Sequence, residues 1–395
     1  MAGAVVTRTL PPTGDGPLDW AARHMPLLAD TFEEVGSAFA GLTIGITLHV
    51  EPKTAVLCQW LLASGARVVI TGNLGTTVPA TADALRALGA TMLGGREDTD
   101  AERERHLDAI VAQRCDLFLD NGGGLVARLA AGAPRGPGFR GATEETTTGG
   151  LRIRALATPP DFPVVVINDS RLKLLVENEF GVGQSIVQGF MNATNLMIPG
   201  LRAGVVGYGP CGRGTADALR LLGASTTVAD LDPFRRLDAL MRGHRVADVA
   251  EIVSTCDAVF LATGARDVVG PELFERLRDG LVVVGVGHEG REIDVAALRD
   301  AAVETVRLSP PGGDPTARVL HRFADGREVV VLHDSHMINL TAALGNPIQA
   351  MDLGLALQAR SLASIATGGT TTPGAQAVPE SIDRVLAEGL VRLLS

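Results

Sequence analysis

Residues 203–214 read Ala-Gly-Val-Val-Gly-Tyr-Gly-Pro-Cys-Gly-Arg-Gly; the chain then runs to Leu221-Leu222-Gly223 and closes on Ser225-Thr-Thr-Val-Ala-Asp230. An apolar run, a glycine turn, a helix-spaced segment, a second apolar run and an acid follow in that order. Gly207, Gly209 and Gly212 make a Gly-x-Gly-x-x-Gly: the first permits the tight turn, the second lets a pyrophosphate approach the backbone, and the third lets helix and strand pack closely. Pro210 and Cys211 open the helix, whose first-turn N–H groups face an anion. Asp230 ends the next strand, where a carboxylate holds adenosine ribose hydroxyls. An ordinary strand-to-helix turn would share the glycines but not the strand, helix and terminal acid together. The stretch therefore predicts a Rossmann-like NAD site. Asp230 would repel the extra phosphate of NADP, although Arg235 and Arg236 lie close behind.

Outward from that stretch the chain alternates strand and helix. The spacing predicts a helix over 18–40, broken at Met25-Pro26, and strands over Thr43–Val50, Arg67–Thr71, Leu117–Asp120 and Val164–Asn168. Helices are predicted over Thr54–Ala63, Ala80–Leu88 and Ala101–Ala112, and the polar run Thr143–Gly149 is expected outside the core. Gly181–Met197 reads as a helix. A second block has strands Ala203–Val206, Thr226–Ala229, Ala258–Leu261 and Leu281–Val286, and a hairpin over Arg318–Leu332 that turns at Asp325-Gly326. Pro347–Ala366 and Ser381–Leu394 read as helices, and Gly368–Gly374 as a linker. The alternation predicts an α/β protein: two Rossmann-like, doubly wound parallel-sheet domains joined by hinges, with C-terminal helices returning to the first.

Composition narrows the class. The 395 residues exceed one typical domain. Apolar residues make 46% and aromatic ones only 4%, which suits aliphatic cores around buried parallel strands. A net charge of −10 without a basic block argues against nucleic acid and anionic membranes. Cys58, Cys115, Cys211 and Cys256 are scattered, which reads as reduced thiols and not as a disulfide frame or metal site. There is no signal-peptide pattern and no bilayer-length apolar run, so a cytoplasmic protein is expected.

The chain from about Leu42 onward resembles the S-adenosyl-L-homocysteine hydrolase family. The resemblance rests on Leu48-His49, Thr54–Leu57, Asp120…Gly122-Gly123, Glu144-Glu145-Thr146-Thr147-Thr148-Gly149, Asn168-Asp169-Ser170…Lys173…Asn178, Ala193-Thr194, Gly207-Tyr208-Gly209, Thr263-Gly264, Gly287-His288…Glu292-Ile293-Asp294 and Asn339-Leu340. It implies a substrate domain over 1–183, an NAD domain over 184–345 and a C-terminal segment over 346–395 that completes the first domain or makes subunit contacts. Hinges would fall near Phe180–Gln184 and Met337–Pro347. In the family, resident NAD⁺ oxidises the ribose 3′-hydroxyl of a nucleoside. The ketone acidifies the C4′ hydrogen, the 5′-substituent leaves, water adds, and the hydride returns.

The resemblance implies roles residue by residue. Lys173 would assist deprotonation of the 3′-hydroxyl, Glu145 would bind ribose hydroxyls, His49 would serve the leaving group, and His288 would lie beside the nicotinamide and ribose. Thr146, Thr147, Thr148, Asn178, Thr263, Gly264, Gly287 and Asn339 match cofactor-contacting positions. Each has a plain alternative: a surface lysine, a structural histidine, a helix cap or ordinary loop residues.

Several positions depart from the family. Its Asp-Asp-Gly-Gly-Asp is Asp120-Asn121-Gly122-Gly123-Gly124 here, so a proposed base becomes an amide, which accepts no proton at working pH. Glu177 replaces an aspartate that pairs with the lysine and ribose. Asn346 replaces the histidine of Gly-His-Pro. Glu51 and Lys53 stand at the adenine-reading positions; Asn73 and Thr76 complete the candidate substrate-binding set.

An intact dinucleotide signature facing an altered substrate shell predicts a retained oxidation and elimination engine with another substrate or endpoint. The expectation is a redox-neutral lyase or dehydratase on a nucleoside, with water as leaving group, suited to nucleoside-antibiotic biosynthesis. The alternatives are a divergent hydrolase of S-adenosylhomocysteine in one-carbon metabolism and a non-catalytic NAD- or nucleoside-binding regulator. A homo-oligomer, dimer or tetramer, is expected, although the family's Lys-and-Tyr tail has no counterpart through Ser395.

Overall fold

The computed structural model describes residues 10–287, 291–309 and 313–395. The chain divides into two compact units, one of Met1–Leu174 with Ile348–Ser395 and the other of Leu175–Pro347.

The first unit is built on β1 (Thr43–Thr47), β2 (Arg67–Thr71), β3 (Thr91–Leu93), β4 (Leu117–Asp120), β5 (Gly141–Glu144) and β6 (Pro163–Val166). They lie in the order 3-2-1-4-5-6, all parallel, and Gly374–Ala377 adds beside β6 as a seventh strand. This is the doubly wound order, whose direction reverses between β1 and β4. Helices cover both faces, so β4, β5 and β6 are buried at every position.

The helix Ile348–Ala366 is largely buried. Its Asp352 accepts the N–H groups of Leu27 (2.9 Å) and Leu28 (2.7 Å). The helix Pro26–Val35 has no side-chain cap of its own at Met25, so Asp352 satisfies its orphan donors. Such a cap contributes about 0.5–2 kcal/mol. Burial pushes the Asp352 carboxyl up to about 7.

The second unit holds β7 (Arg202–Val206), β8 (Ser225–Ala229), β9 (Arg245–Val246), β10 (Ala258–Leu261), β11 (Leu281–Gly285), β12 (Glu304–Arg307), β13 (Val319–Arg322) and β14 (Glu328–Val331). The order is 12-13-14-11-10-7-8-9. Strands β9-β8-β7-β10-β11-β14 are parallel and repeat the doubly wound order, with the switch between β7 and β10. At the other edge the hairpin expected over Arg318–Leu332 is present, as β13 and β14. There β13 runs antiparallel to β14, because the Asp325-Gly326 turn between them is too short for a crossover, and β12 pairs antiparallel with β13.

The departures have local causes. The run expected over Thr43–Val50 stops at Thr47, and that over Val164–Asn168 gives way to a 3-10 turn at Ile167–Asp169. The helix expected from Gly181 begins at Val182 and ends at Thr194; it follows a π-helical segment, Leu174–Gly181. The polar run Thr143–Gly149 was expected outside the core, yet Thr143, Glu144 and Glu145 are buried. Strand β5 enters the sheet interior there, and Glu144 gathers backbone donors that water would otherwise serve.

Candidate functional site

In the first unit, the candidate residues gather at the carboxyl ends of strands, where open α/β sheets bind ligands. His49 follows β1 and Asn121 follows β4, on either side of the switch point; Glu145 follows β5. Two buried carboxylates fix the loops that carry them. Asp120 and Glu144 are direct neighbours across β4 and β5. Asp120 accepts from Thr47 Oγ1 (3.0 Å), Asn121 N (2.9 Å) and Val126 N (2.8 Å). Glu144 accepts from Gly122 N, Gly123 N, Thr146 N and Thr146 Oγ1 at 2.7–3.0 Å. Gly122 and Gly123 take φ of 97° and 73°, which only glycine adopts freely, and this turns their N–H groups inward. Burial raises both carboxyls. Glu144 reaches about 8, with the charge of Asp120 as the second cause.

Lys173 is 3% exposed and donates to Glu145 Oε1; Gln358 donates to Glu145 Oε2. Ser170 caps the turn that presents the lysine, accepting from Lys173 N at 3.1 Å. The lysine is therefore buried against a carboxylate that is itself hydrogen-bonded.

The His49 ring is oriented by Thr76. Thr76 Oγ1 donates its proton to Asn73 O (2.8 Å) and lies 3.0 Å from His49 Nδ1. A hydroxyl that has spent its proton accepts here, so Nδ1 carries hydrogen and Nε2 holds the lone pair of the neutral ring. Glu51 and Lys53 form a buried ion pair (2.9 Å) at the start of the helix Pro52–Ala63, and Glu51 also accepts Lys53 N. Asn73 Nδ2 donates to Asn121 Oδ1 at 2.9 Å. Thr146 caps the helix Thr147–Arg154 through Gly149 N. Thr147 and Thr148 are exposed on its first turn, with Thr147 Oγ1 accepting from Asn168.

In the second unit, the glycine turn joins β7 to the helix Pro210–Leu221. Gly207 has φ 93°. A Cβ on Gly212 would lie 1.8 Å from Gly207 O, so the turn closes against the helix only with glycine there. Gly209 has open space instead. Asp230 Oδ2 accepts from Tyr208 N (2.6 Å), which holds the carboxylate over the turn. A surface cleft of about 230 Å³ opens beside it, lined by Tyr208, Gly209, Pro210, Arg213, Phe234 and Arg235. Across the switch point, Glu292 accepts from Thr263 N, Thr263 Oγ1 and Gly264 N at 2.5–3.1 Å, and burial raises its carboxyl. Gly287 lies against the same glutamate: a Cβ there would meet Oε2 at 2.2 Å.

A second group joins four side chains of this unit. Asn346 Oδ1 accepts from Ser185 Oγ (3.1 Å) and Asn339 Nδ2 (3.2 Å), and Asn346 Nδ2 donates to Glu177 at 3.3 Å. Asn339 Oδ1 is buried with no partner among the described residues. An orphaned acceptor of this kind fits an amide N–H₂ donor, which the nicotinamide carboxamide carries. Glu177 and Asn178 ride on the π-helical segment. Its register is held by Glu179, which accepts from Arg213 Nη2 (2.5 Å), and by backbone contact at Gly214, where a Cβ would lie 1.8 Å from Glu179 O. The glycine turn, Asp230, the cleft and the Asn339 acceptor together fit NAD.

The structure thus gathers His49, Glu51, Lys53, Asn73, Thr76, Asn121, Glu145, Thr146–Thr148 and Lys173 at the carboxyl end of the first unit's sheet. It places Glu177, Asn178, Gly207–Gly212, Asp230, Thr263, Gly264, Gly287, Asn339 and Asn346 in the second. His288 lies outside the described residues. Sequence reasoning passed over Asp120, Glu144 and Glu292 as anchors, and over Gln358 and Ser185 altogether. The acids could have been found from their places directly after apolar strand runs or beside a glycine; the last two carry no local signal.

Residues 178–345 match the model of the S-adenosyl-L-homocysteine hydrolase NAD-binding domain. Over its length the chain is similar to the S-inosyl-L-homocysteine hydrolase of Methanopyrus kandleri, 37% identical over 393 residues, covering 98% of this chain and 91% of that one. It is also similar to the adenosylhomocysteinase of Thermotoga maritima, 37% identical over 352 residues, covering 88% and 86%. A further S-inosyl-L-homocysteine hydrolase, from Methanothermobacter thermautotrophicus, is 36% identical over 390 residues, covering 96% and 91%. With the geometry of the glycine turn, these matches establish that the chain belongs to the S-adenosyl-L-homocysteine hydrolase family and that its cofactor is NAD.

Proposed function

We propose that the protein is a redox-neutral dehydratase that removes water from the hydroxymethyl arm of a nucleoside. NAD, when bound, supplies the reversible oxidation at the ribose 3′-position that makes the neighbouring C4′ hydrogen acidic. Lys173, buried against Glu145, takes part in moving the 3′-hydroxyl proton, and Glu145 holds ribose hydroxyls through the oxygens that Lys173 and Gln358 orient. His49 presents Nε2 as the base in its neutral tautomer. It accepts the C4′ proton and passes it to the departing oxygen. The C4′–H electron pair becomes the new C4′=C5′ bond, the C5′–O pair leaves with oxygen, and the proton completes water. Nothing is consumed, and the product is an enol ether.

The observation that carries this reading is Asn121. A position that would hold a second carboxylate for adding and protonating water holds an amide, already engaged by Asn73. Dehydration is the hydrating half of the family cycle run in reverse, so with an amide at 121 the proton of that water is left to His49. The Glu51–Lys53 ion pair supports an altered base-recognition surface as well. The relatives' names favour a second reading, hydrolysis of an S-adenosyl- or S-inosyl-homocysteine. Dehydration would suit nucleoside natural-product biosynthesis.

The test uses the purified protein with NAD. It is incubated with adenosine and ketose nucleosides and followed by mass spectrometry for loss of one water, and with S-adenosyl- and S-inosylhomocysteine and followed for free thiol. Water loss without thiol release is expected. Robust thiol release without water loss overturns the proposal.

A further inference from the structure

We infer that Arg103 and Asn73 act as positioning residues that lock the Asn121 side chain with its nitrogen outward, so that the position offers a hydrogen-bond donor to an oxygen of the substrate. The argument follows donors and acceptors along a chain of three residues. Arg103, on the helix Asp100–Ala112, donates through Nη1 to Gly72 O and through Nη2 to Asn73 at 2.5 Å. A guanidinium can only donate, so the Asn73 atom it meets is the carbonyl oxygen. The other end of the Asn73 amide is then N–H₂, and it faces Asn121 at 2.9 Å. The Asn121 atom that meets it is therefore oxygen. The Asn121 nitrogen is left pointing away, and among the described residues it has no protein acceptor.

Both asparagines are buried, Asn73 at 7% and Asn121 at 6% exposure, so a flip would set donor against donor. Leaving a buried polar group unsatisfied is costly, and the penalty favours the observed orientation by roughly 5- to 150-fold. The backbone beneath is equally fixed: Asn121 N donates to Thr47 Oγ1 (3.0 Å) and Asp120 Oδ1 (2.9 Å).

The position therefore cannot serve as a base. Its outward N–H₂ suits a hydroxyl, ether or departing oxygen and disfavours a group that itself must donate. That the oxygen belongs to a nucleoside hydroxymethyl rests on the dehydratase reading; the orientation of the amide does not.

Two measurements test the inference on the full-length protein. Neutron diffraction from the deuterated protein reads the amide directly: deuterium is expected on the Asn121 atom that faces away from Asn73, and oxygen there overturns the lock. The second uses Asn73→Asp, which keeps a partner for Arg103 but presents an acceptor to Asn121 and so should flip its amide. Turnover is expected to fall about 10–100-fold, the loss of one or two site hydrogen bonds, with NAD content and thermal midpoint little changed. Wild-type-like turnover with a flipped amide overturns the donor role. If the wild-type protein removes no water from nucleosides, the dehydratase reading fails, and the neutron result still decides the orientation.

Discussion

Gly209→Ala separates cofactor binding from folding at the glycine turn. Gly209 sits at φ −70° and ψ −175°, an extended conformation open to any residue. A Cβ built there meets nothing closer than Arg235 Nη1 at 3.9 Å. The variant should therefore fold unhindered, and the reduced freedom of its unfolded chain should raise stability by about 0.4–1 kcal/mol. The same methyl occupies the space into which a pyrophosphate must come to reach the first-turn N–H groups. Displacing it costs one or two charge-assisted hydrogen bonds, about 1.5–3 kcal/mol each. A loss of about 3 kcal/mol is roughly a hundredfold in affinity. Gly212→Ala is the contrast: its methyl would overlap Gly207 O at 1.8 Å, so it should destabilise the unit before any ligand is added. The assay is thermal unfolding of the NAD-free protein together with calorimetric titration of NAD. Wild-type affinity in Gly209→Ala, or a lowered melting point without NAD, would refute the account of how the turn holds the cofactor.

Two further outcomes follow from buried charges. Lys173→Ala should retain NAD but fail to reduce it on adding substrate, read from nicotinamide absorbance; normal reduction would remove Lys173 from the chemistry. Glu144 (about 8) and Asp352 (about 7) contribute stability that is lost as pH rises from about 4 toward 8, because the folded chain keeps protons on them that the unfolded chain has released. Each retained proton contributes a slope of up to about 1.4 kcal/mol per pH unit. Glu144→Gln should flatten that slope in urea titrations across the range, and an unchanged slope would show that Glu144 is ionised throughout.

The doubly wound order of both sheets was legible because buried parallel strands are continuous apolar runs, and Arg67–Thr71, Leu117–Asp120 and Ala258–Leu261 stand at the expected bounds. Strand β5 was missed because its outer half is Thr143-Glu144, polar residues whose burial depends on partners distant in sequence, Gly122 and Gly123. Strand β12 was missed because it lies at the sheet edge with all but Val306 exposed, and Glu304 and Arg307 carry charge. The dinucleotide turn was legible because its chemistry is backbone chemistry, and glycine spacing records it. The Asn73–Asn121 contact was not: a side-chain amide shows two possible faces in sequence, and only the arginine opposite decides between them. Asn346 read as a lost histidine, while the structure shows a joint between Ser185, Asn339 and Glu177.

The first unit is assembled from both ends of the chain, and this orders its birth. Leu27 and Leu28 wait for Asp352, more than three hundred residues later, and the strand Gly374–Ala377 arrives later still. On a ribosome adding about 5–20 residues per second, the intervening stretch, Leu175–Pro347, takes on the order of 10–35 s to make. That stretch is contiguous and carries its own core, so it can fold while the earlier-made half still lacks a helix and an edge strand. The nascent chain thus has its cofactor-binding unit ready first, and an unfinished Rossmann sheet upstream that must be kept from pairing with neighbours until the last helices emerge. A chain cut before Ile348 would leave the helix Pro26–Val35 without its cap and β6 as an open edge, a substrate for chaperones and not an enzyme.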